Sequence, residues 1–340
     1  MALLPLPLAL TLGEPAGIGP DIALMAWQRR NVADGAFLVI GDRECLARRG
    51  KLMKLDVPLA PIAAPAEAAK VFDQALPVLG EPLQAQPVPG TPDPAAAGAV
   101  VRAIETAVAL ALDGTIAGIV TNPIHKGTLY QSGFAHQGHT DFLAHLARQA
   151  GKTCEPVMML SAGNLRTVPL TIHIPLKDVA GAISEDLIVR QARVVARELS
   201  GLLGHRPVRL VVAGLNPHAG ENGAIGTEER DIIAPAVARL RAEGLEITGP
   251  LSADTLFYDE ARARFDVVLC MYHDQALIPV KTVGFHEGVN TTLGLPFVRT
   301  SPDHGTALDL AGTGKANPSS LLAALRLARQ LAGGRARGGR

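Results

Sequence analysis

The sequence predicts an α/β protein, sheets flanked by helices, in two domains or one large one. Three observations carry that prediction. Short runs rich in Val, Ile and Leu, at residues 8–12, 37–40, 116–120, 168–172, 208–213 and 267–271, are too short for helices and read as strands buried on both faces. Helical patterns lie between them, and strands that alternate with helices build parallel sheets. Polar or ionisable residues stand directly after the apolar runs, where open α/β sheets bind ligands.

The whole chain bounds the partners. Its 340 residues suggest two domains, or one large one, and can bury a sizeable core. Lys and Arg number 32 and Asp and Glu 32, so formal net charge is zero and no wide basic surface is offered to nucleic acid. Cys45, Cys154 and Cys270 are sparse and share no close spacing, which reads as reduced thiols in a cytoplasmic protein. No run reads as long enough to span a membrane. Residues 1–12 are apolar but lack a basic start and are interrupted by Pro5 and Pro7, so they read as a leading segment and first strand rather than a signal peptide.

The strand at 8–12 runs into Gly13-Glu14-Pro15-Ala16-Gly17-Ile18-Gly19-Pro20-Asp21-Ile22, a glycine-rich loop opening a helix, with Pro20 suited to a first helical position. The dinucleotide fingerprint fails, because Ile22 stands where the third small residue belongs. On its own the loop reads as a tight turn. Residues 37–40 form the next strand. From 56 to 98 the chain is rich in Pro and Ala, and proline cannot donate to a central sheet, so this reads as surface with edge strands and one short helix near 67–73. Residues 97–112 read as a helix with Val101, Ile104, Val108 and Leu112 on one face. The strand at 116–120 leads to Thr121-Asn122-Pro123-Ile124-His125-Lys126.

A further helix starts near Thr140. Backbone amides at such a start bind anions, and His139 and Thr140 add donors. The alternative is that Thr140 or Asp141 merely caps the helix. Gly151-Lys152-Thr153 resembles the end of a phosphate loop, but Leu146 occupies the place of the earlier glycine. An amphipathic helix at 184–203 separates the strands at 168–172 and 208–213. Thr227-Glu228-Glu229, with carboxylates in its first turn, starts a helix to about residue 242.

Of ten histidines, His173, His218 and His273 follow three of the buried strands. Parallel strand ends converge on one crevice, and three neutral imidazoles with an open position describe a catalytic metal site. The plainer reading, histidines at strand ends facing water, stands beside it, because no His-x-x-x-His spacing separates the two. Asp274 is placed to orient a ligand, join the ion or act as a base. His125, His136, His145, His205, His286 and His304 lack this placement. Lys281, Asn290 and Arg299 follow at intervals of nine in a Gly- and Thr-rich segment, two cations and an amide suited to a small anion.

These residues together resemble the family of 4-hydroxythreonine-4-phosphate dehydrogenases of pyridoxal phosphate biosynthesis. The resemblance covers nearly the whole chain. It rests on Gly13-Glu14-Pro15-Ala16-Gly17-Ile18-Gly19-Pro20, Thr121-Asn122-Pro123-Ile124-His125-Lys126, Gly138-His139-Thr140, Leu215-Asn216-Pro217-His218-Ala219-Gly220-Glu221, Tyr272-His273-Asp274-Gln275, Lys281, and Thr300-Ser301-Pro302-Asp303-His304-Gly305-Thr306-Ala307. Asp141 departs from an expected Glu, and the stretch before Gly98 matches weakly.

The resemblance implies two α/β/α domains around a cleft, similar to isocitrate and isopropylmalate dehydrogenases, with residues 1–125 plus 255–340 in one and 126–254 in the other. It implies NAD or NADP held by His304, Gly305, Thr306 and Asn317, and one divalent ion, zinc, magnesium or cobalt, held by His173, His218 and His273. The substrate is expected to be a small phosphorylated amino acid bound by His139, Thr140, Lys281, Asn290 and Arg299. Lys281 and Asp274 are the candidates for proton transfer, and a homodimer with shared sites is expected. The implied reaction is NAD-dependent oxidation of 4-hydroxythreonine 4-phosphate followed by decarboxylation. Two alternatives are kept: the same chemistry on a four-carbon sugar-acid phosphate such as threonate or erythronate 4-phosphate, and a metal-dependent binding or hydrolytic protein without NAD.

Overall fold

The computed structural model describes residues 5–31 and 34–338, so part of the expected leading segment, residues 1–4, lies outside the described residues. In chain order the elements are β1 (Leu8–Thr11), α1 (Gly19–Gln28), β2 (Phe37–Gly41), α2 (Arg43–Met53), β3 (Leu59–Ile62), α3 (Ala68–Val71), β4 (Leu76–Gly80), α4 (Ala97–Leu112), β5 (Gly118–Thr121), α5 (Lys126–Gln131) and α6 (His139–Gln149). There follow β6 (Val157–Ala162), β7 (Leu165–Pro169), α7 (Leu176–Ala182), α8 (Glu185–Leu202), β8 (Leu210–Ala213), α9 (Ala234–Ala242), β9 (Ile247–Leu251), α10 (Asp259–Arg262), β10 (Val267–Cys270), α11 (His273–Gly284), β11 (Val289–Leu293), β12 (Arg299–Pro302) and α12 (Ser319–Gly338).

The chain divides into two compact units, Met1–Cys154 with Leu295–Ala332, and Glu155–Gly294 with Gly333–Arg340. The division thus falls later than the expected 125/126 and 254/255. Two packing facts explain the difference. Helix α6 buries Phe142, Leu143 and Ala147 in the same core as Ile104 and Ile119, so it stays with the first unit. Strand β10 is hydrogen-bonded between β7 and β8, so it belongs to the second.

In the first unit the strands run in the order β3-β4-β2-β1-β5-β12, all parallel. Leu38, Ile40, Ile104 and Ile119 form its centre, none more than 1 % exposed. Burying each such side chain contributes roughly 1.5–3 kcal/mol before entropy is counted. The proline-containing β3 is the edge strand of this unit, where proline's missing donor costs least, with β4 beside it. Helix α2 is fixed at its start by Asp42, whose carboxylate accepts from the Cys45 amide at 2.7 Å.

One expectation about membranes needs correction. The stretch Pro94–Leu112, 19 residues of mean hydropathy 1.7, is long and apolar enough by composition to cross a bilayer. The apolarity has a local use: α4 lies on β1, β2 and β5 and buries Val100, Ala103, Ile104, Ala107 and Val108.

In the second unit the order is β11-β6-β7-β10-β8-β9. Strands β7, β10, β8 and β9 are parallel, whereas β6 is antiparallel to both its neighbours. The hairpin of β6 and β7 turns at Gly163, which has φ +54°, a conformation glycine adopts without strain. Helix α8 begins with Ser184 accepting from the Leu187 amide at 3.2 Å and buries Ile188, Val189, Ala192, Val195 and Leu199. Asp266, just before β10, receives paired hydrogen bonds from Arg206 and Arg209 at 2.6–3.3 Å, which tie β10 to the start of β8.

Candidate active site

In the first unit, polar groups gather where β1 and β5 end. Arg299, the first residue of β12, is 4 % exposed and donates from Nη2 to Thr121 Oγ1 at 2.8 Å. Burial lowers its pKa to about 10. His139 opens α6. The residue is half-buried, but its Nε2 is sealed from water and has no hydrogen-bond partner among the described residues. Burial, then the positive charges of Arg299 and Lys126, hold its pKa well below the ordinary value, so the ring is neutral at pH 7. A neutral imidazole with an unused ring nitrogen, beside two cations, is suited to an anionic ligand.

The structure also decides how α6 begins. Gly138 is the capping position and makes no side-chain cap. Thr140 and Asp141 stand inside the first turn, so neither caps it. Asp141 instead reaches back to the Gln137 amide at 3.3 Å and to His136 Nδ1 at 3.0 Å.

The first and last glycine-rich loops meet within this unit. The Ile18 amide donates to Thr306 O at 3.0 Å, and a Cβ on Gly17 would lie 2.8 Å from that same oxygen, so only glycine permits the approach. Two buried side chains missed in the sequence lock the loops. Arg49 pairs with Asp21 and donates to Gly17 O at 2.8 Å and Pro15 O at 3.0 Å. Asp21 Oδ1 accepts from the Gly312 amide at 2.7 Å. Burial raises the Asp21 pKa against the pull of Arg49. Of the expected cofactor residues, His304 turns Nδ1 toward Gly305 O at 3.0 Å, and Asn317 Oδ1 accepts from the Ser319 amide at 3.0 Å at the head of α12. Glu14, 3 % exposed, holds the Ala16 amide at 3.0 Å, and burial raises its pKa.

In the second unit His173, His218 and His273 follow β7, β8 and β10, three adjacent parallel strands in the order β7-β10-β8. His173 and His273 adjoin, with ring centroids 5.8 Å apart, and line a cavity of about 330 Å³ with Thr171, Tyr272 and Asp274. His273 Nδ1 lies 2.7 Å from Asp274 Oδ1. His218 sits on a separate loop, Pro217–Gly223, in which His218, Ala219, Glu221 and Asn222 have left-handed backbones, with φ of 53°, 52°, 44° and 56°. Such a backbone costs roughly 1–2 kcal/mol per residue with a side chain, and less for Asn. Among the described residues no group of three His, Cys, Asp or Glu side chains stands at ligand spacing. The sheet therefore places three donors of suitable chemistry at one set of strand ends and brings two of them together.

Lys281 and Asn290 also lie in the second unit. Lys281 is on α11, with Nζ 5.4 Å from the Phe285 ring centre, and Asn290 is in β11 opposite Leu160. The regular nine-residue spacing of Lys281, Asn290 and Arg299 thus spans a helix and two strands rather than one loop.

Comparisons with known proteins place these groups in context. Residues 34–328 match a family model described as pyridoxal phosphate biosynthetic protein PdxA. The chain is 53% identical over 335 residues to a 4-hydroxythreonine-4-phosphate dehydrogenase of Xanthobacter autotrophicus, covering 98% of this chain and 95% of that one. It is 55% identical over 330 residues to the protein of that name from Methylorubrum extorquens, covering 96% and 94%. A crystal structure of the enzyme so named from Klebsiella pneumoniae superposes with a TM-score of 0.85 at 40% identity, covering 96% and 99%. A terephthalate 1,2-cis-dihydrodiol dehydrogenase from Burkholderia xenovorans gives 0.66 at 28%, covering 96% and 98%. This chain belongs to the PdxA family of pyridoxal phosphate biosynthetic proteins.

Proposed function

We propose that this chain oxidises 4-hydroxythreonine 4-phosphate with NAD in pyridoxine 5'-phosphate biosynthesis. The product, a 2-amino-3-oxo acid phosphate, loses carbon dioxide to give 3-amino-2-oxopropyl phosphate. The observation that carries this reading is identity above one half, along nearly the whole chain, to dehydrogenases named for that substrate. The sugar-acid phosphate alternative is not favoured, since those relatives share one named activity.

The reaction removes a hydride from the third carbon and a proton from its hydroxyl. When bound, the dinucleotide accepts the hydride and a divalent ion supplies a Lewis acid for the hydroxyl oxygen. His173, His218 and His273 would hold the ion, and imidazole donors favour zinc or cobalt over magnesium. Asp274 has a supporting part: with Nδ1–H of His273 donated to it, Nε2 keeps its lone pair for a ligand bond. Asp274 or Lys281 takes the hydroxyl proton. In the first unit, Arg299, His139 and Thr140 bind the substrate phosphate, and Arg299 offers it two parallel donors. Lys281 and Asn290 complete the substrate set. His304, Gly305, Thr306 and Asn317 bind NAD, supported by the way Thr306 and Gly312 are tied to the first glycine loop.

We also infer a homodimer with shared sites, in the cytoplasm. The apolar side chains left outside on the second unit support the dimer: Ile278 (62 %), Phe285 (67 %) and Leu176 (70 %) are exposed at and beside α11 and α7. Three free cysteines fit a reducing compartment. The test of function is a panel of phosphorylated hydroxy acids with NAD, read as NADH absorbance. Turnover of threonate or erythronate 4-phosphate, with none of 4-hydroxythreonine 4-phosphate, would overturn the reading.

A further inference from the structure

We infer that Glu229 is a positioning residue for His218, an inference that rests on the proposal that His218 holds the cation. From His218 to Asn222 five consecutive residues have φ between 44° and 79°, and Gly220 alone among them lacks a side chain. A left-handed turn of this composition does not hold itself, because L-residues disfavour it at each step. Something outside the turn must fix it if His218 is to keep one direction.

Glu229 meets that need. It is 4 % exposed, at the head of a π-helical turn, Glu229–Ile233, that leads into α9. Its Oε1 accepts from the Asn216 amide at 2.7 Å, and its Oε2 accepts from Asn216 Nδ2 at 2.9 Å. Asn216 is the residue from which the turn departs. The same carboxylate also faces the middle of the turn: a Cβ on Gly220 would lie 2.6 Å from Oε2. At the end of β8, a Cβ on Gly214 would lie 3.2 Å from Oε1. One buried carboxylate therefore touches the strand end, the start of the turn and its centre. Glu228 shares part of the work, since Asn216 Nδ2 also donates to its Oε2 at 2.7 Å.

The hydrogen bonds of Glu229 go to Asn216, so its effect on His218 runs through the backbone. Groups that orient a metal ligand typically cost ten- to a hundredfold in metal affinity when removed. The experiment titrates metal-free full-length protein with cobalt(II), read by visible absorption, for wild type, Glu229→Gln, Glu229→Ala, Asn216→Ala and His218→Ala. Glu229→Ala and Asn216→Ala are expected to weaken cobalt(II) binding about ten- to a hundredfold. Their double variant should lose no more than either alone, because both act through one contact. Glu229→Gln keeps one accepting oxygen and should lose less, with an altered cobalt spectrum and unchanged NAD affinity. If Glu229→Ala fails to fold by circular dichroism, the Gln variant decides. Wild-type cobalt affinity and spectrum in folded Glu229→Gln, with His218→Ala impaired, overturn the positioning role and leave the metal site standing. Wild-type affinity in His218→Ala overturns the metal assignment and this inference with it.

Discussion

Arg299 holds Thr121 Oγ1 at 2.8 Å from within β12, one strand from β5, in a place where only 4 % of the residue reaches water. A guanidinium kept out of water and beside a neutral histidine is held ready for an anion, and its planar fork fits a phosphate with two parallel bonds. Lysine at this position offers a point charge instead. Arg299→Lys should therefore weaken binding of 4-hydroxythreonine 4-phosphate by about 1.5–3 kcal/mol, the range for a hydrogen bond to a charged group. That is roughly a tenfold to hundredfold rise in its dissociation constant. NAD affinity should not change. Calorimetry with each ligand checks this, and loss of NAD affinity with intact substrate affinity would make Arg299 a cofactor residue.

The neutral state of His139 gives a pH dependence. Its folded pKa lies well below the ordinary value because of burial and then the charges of Arg299 and Lys126. The unfolded chain therefore takes up a proton near pH 6.5 that the folded chain refuses. The stability this gives is complete above about pH 6.5, is lost progressively as pH falls below it, and is gone once pH has fallen through the lowered folded value. His139→Gln removes that contribution. Urea unfolding from about pH 7 down to about pH 5 should show a shallower loss of stability in the variant than in wild type. Parallel slopes would mean that His139 takes up its proton over the same pH range in the folded protein as in the unfolded chain.

Much of this arrangement was legible in the sequence, and the reason lies in where the residues sit. Val267 to Cys270 is buried on both faces and reads as strand from its side chains alone. The three histidines stood out in the sequence because each follows such a run. What escaped were elements whose patterns are mixed. Helix α11 contains Pro279 and buries only Ala276 and Val280, so it gives no clear helical period. Strand β11, VNTTL, is half polar. The pairing of Asp21 with Arg49 spans two helices, and no local signal ties them. The left-handed turn after Asn216 was equally hidden, because its Ala219 and Glu221 are not residues that announce positive φ. The domain boundaries shifted for a similar reason: Phe142 and Leu143 look like any apolar helix face until their core is known.

The Asp21–Arg49 pair offers a test of loop fixation. Both side chains are buried, at 0 % and 2 % exposure, so solvent screens the pair little. Removing one partner leaves a charge without its counterpart in the interior, which typically costs about 3–5 kcal/mol. Asp21→Leu also frees the Gly312 amide. It should lower the unfolding free energy by that amount in urea titrations and weaken NAD binding more than substrate binding. Equal weakening of both ligands would show a general loosening, and would remove the link drawn between this pair and the cofactor loop.

The last prediction concerns which chains build one site. His173→Ala, His218→Ala and His273→Ala should each abolish turnover and strip bound metal, as the loss of one of three imidazole ligands leaves an ion weakly held. Full metal occupancy in all three variants would refute the ligand assignment. Arg299→Ala should be equally inactive while retaining metal, because the substitution removes no imidazole ligand. The proposed dimer with shared sites then makes a definite demand. If the histidines of one subunit serve the same substrate as Arg299 of the other, a mixture of His273→Ala and Arg299→Ala chains contains mixed dimers with one intact site and one doubly damaged site. With random exchange about half of all dimers are mixed, and each carries one of two sites, so activity should recover to roughly a quarter of wild type at saturating substrate. Native mass spectrometry of a mass-tagged chain establishes that exchange has occurred. No recovery after proven exchange would place the histidines and Arg299 of each site in a single chain.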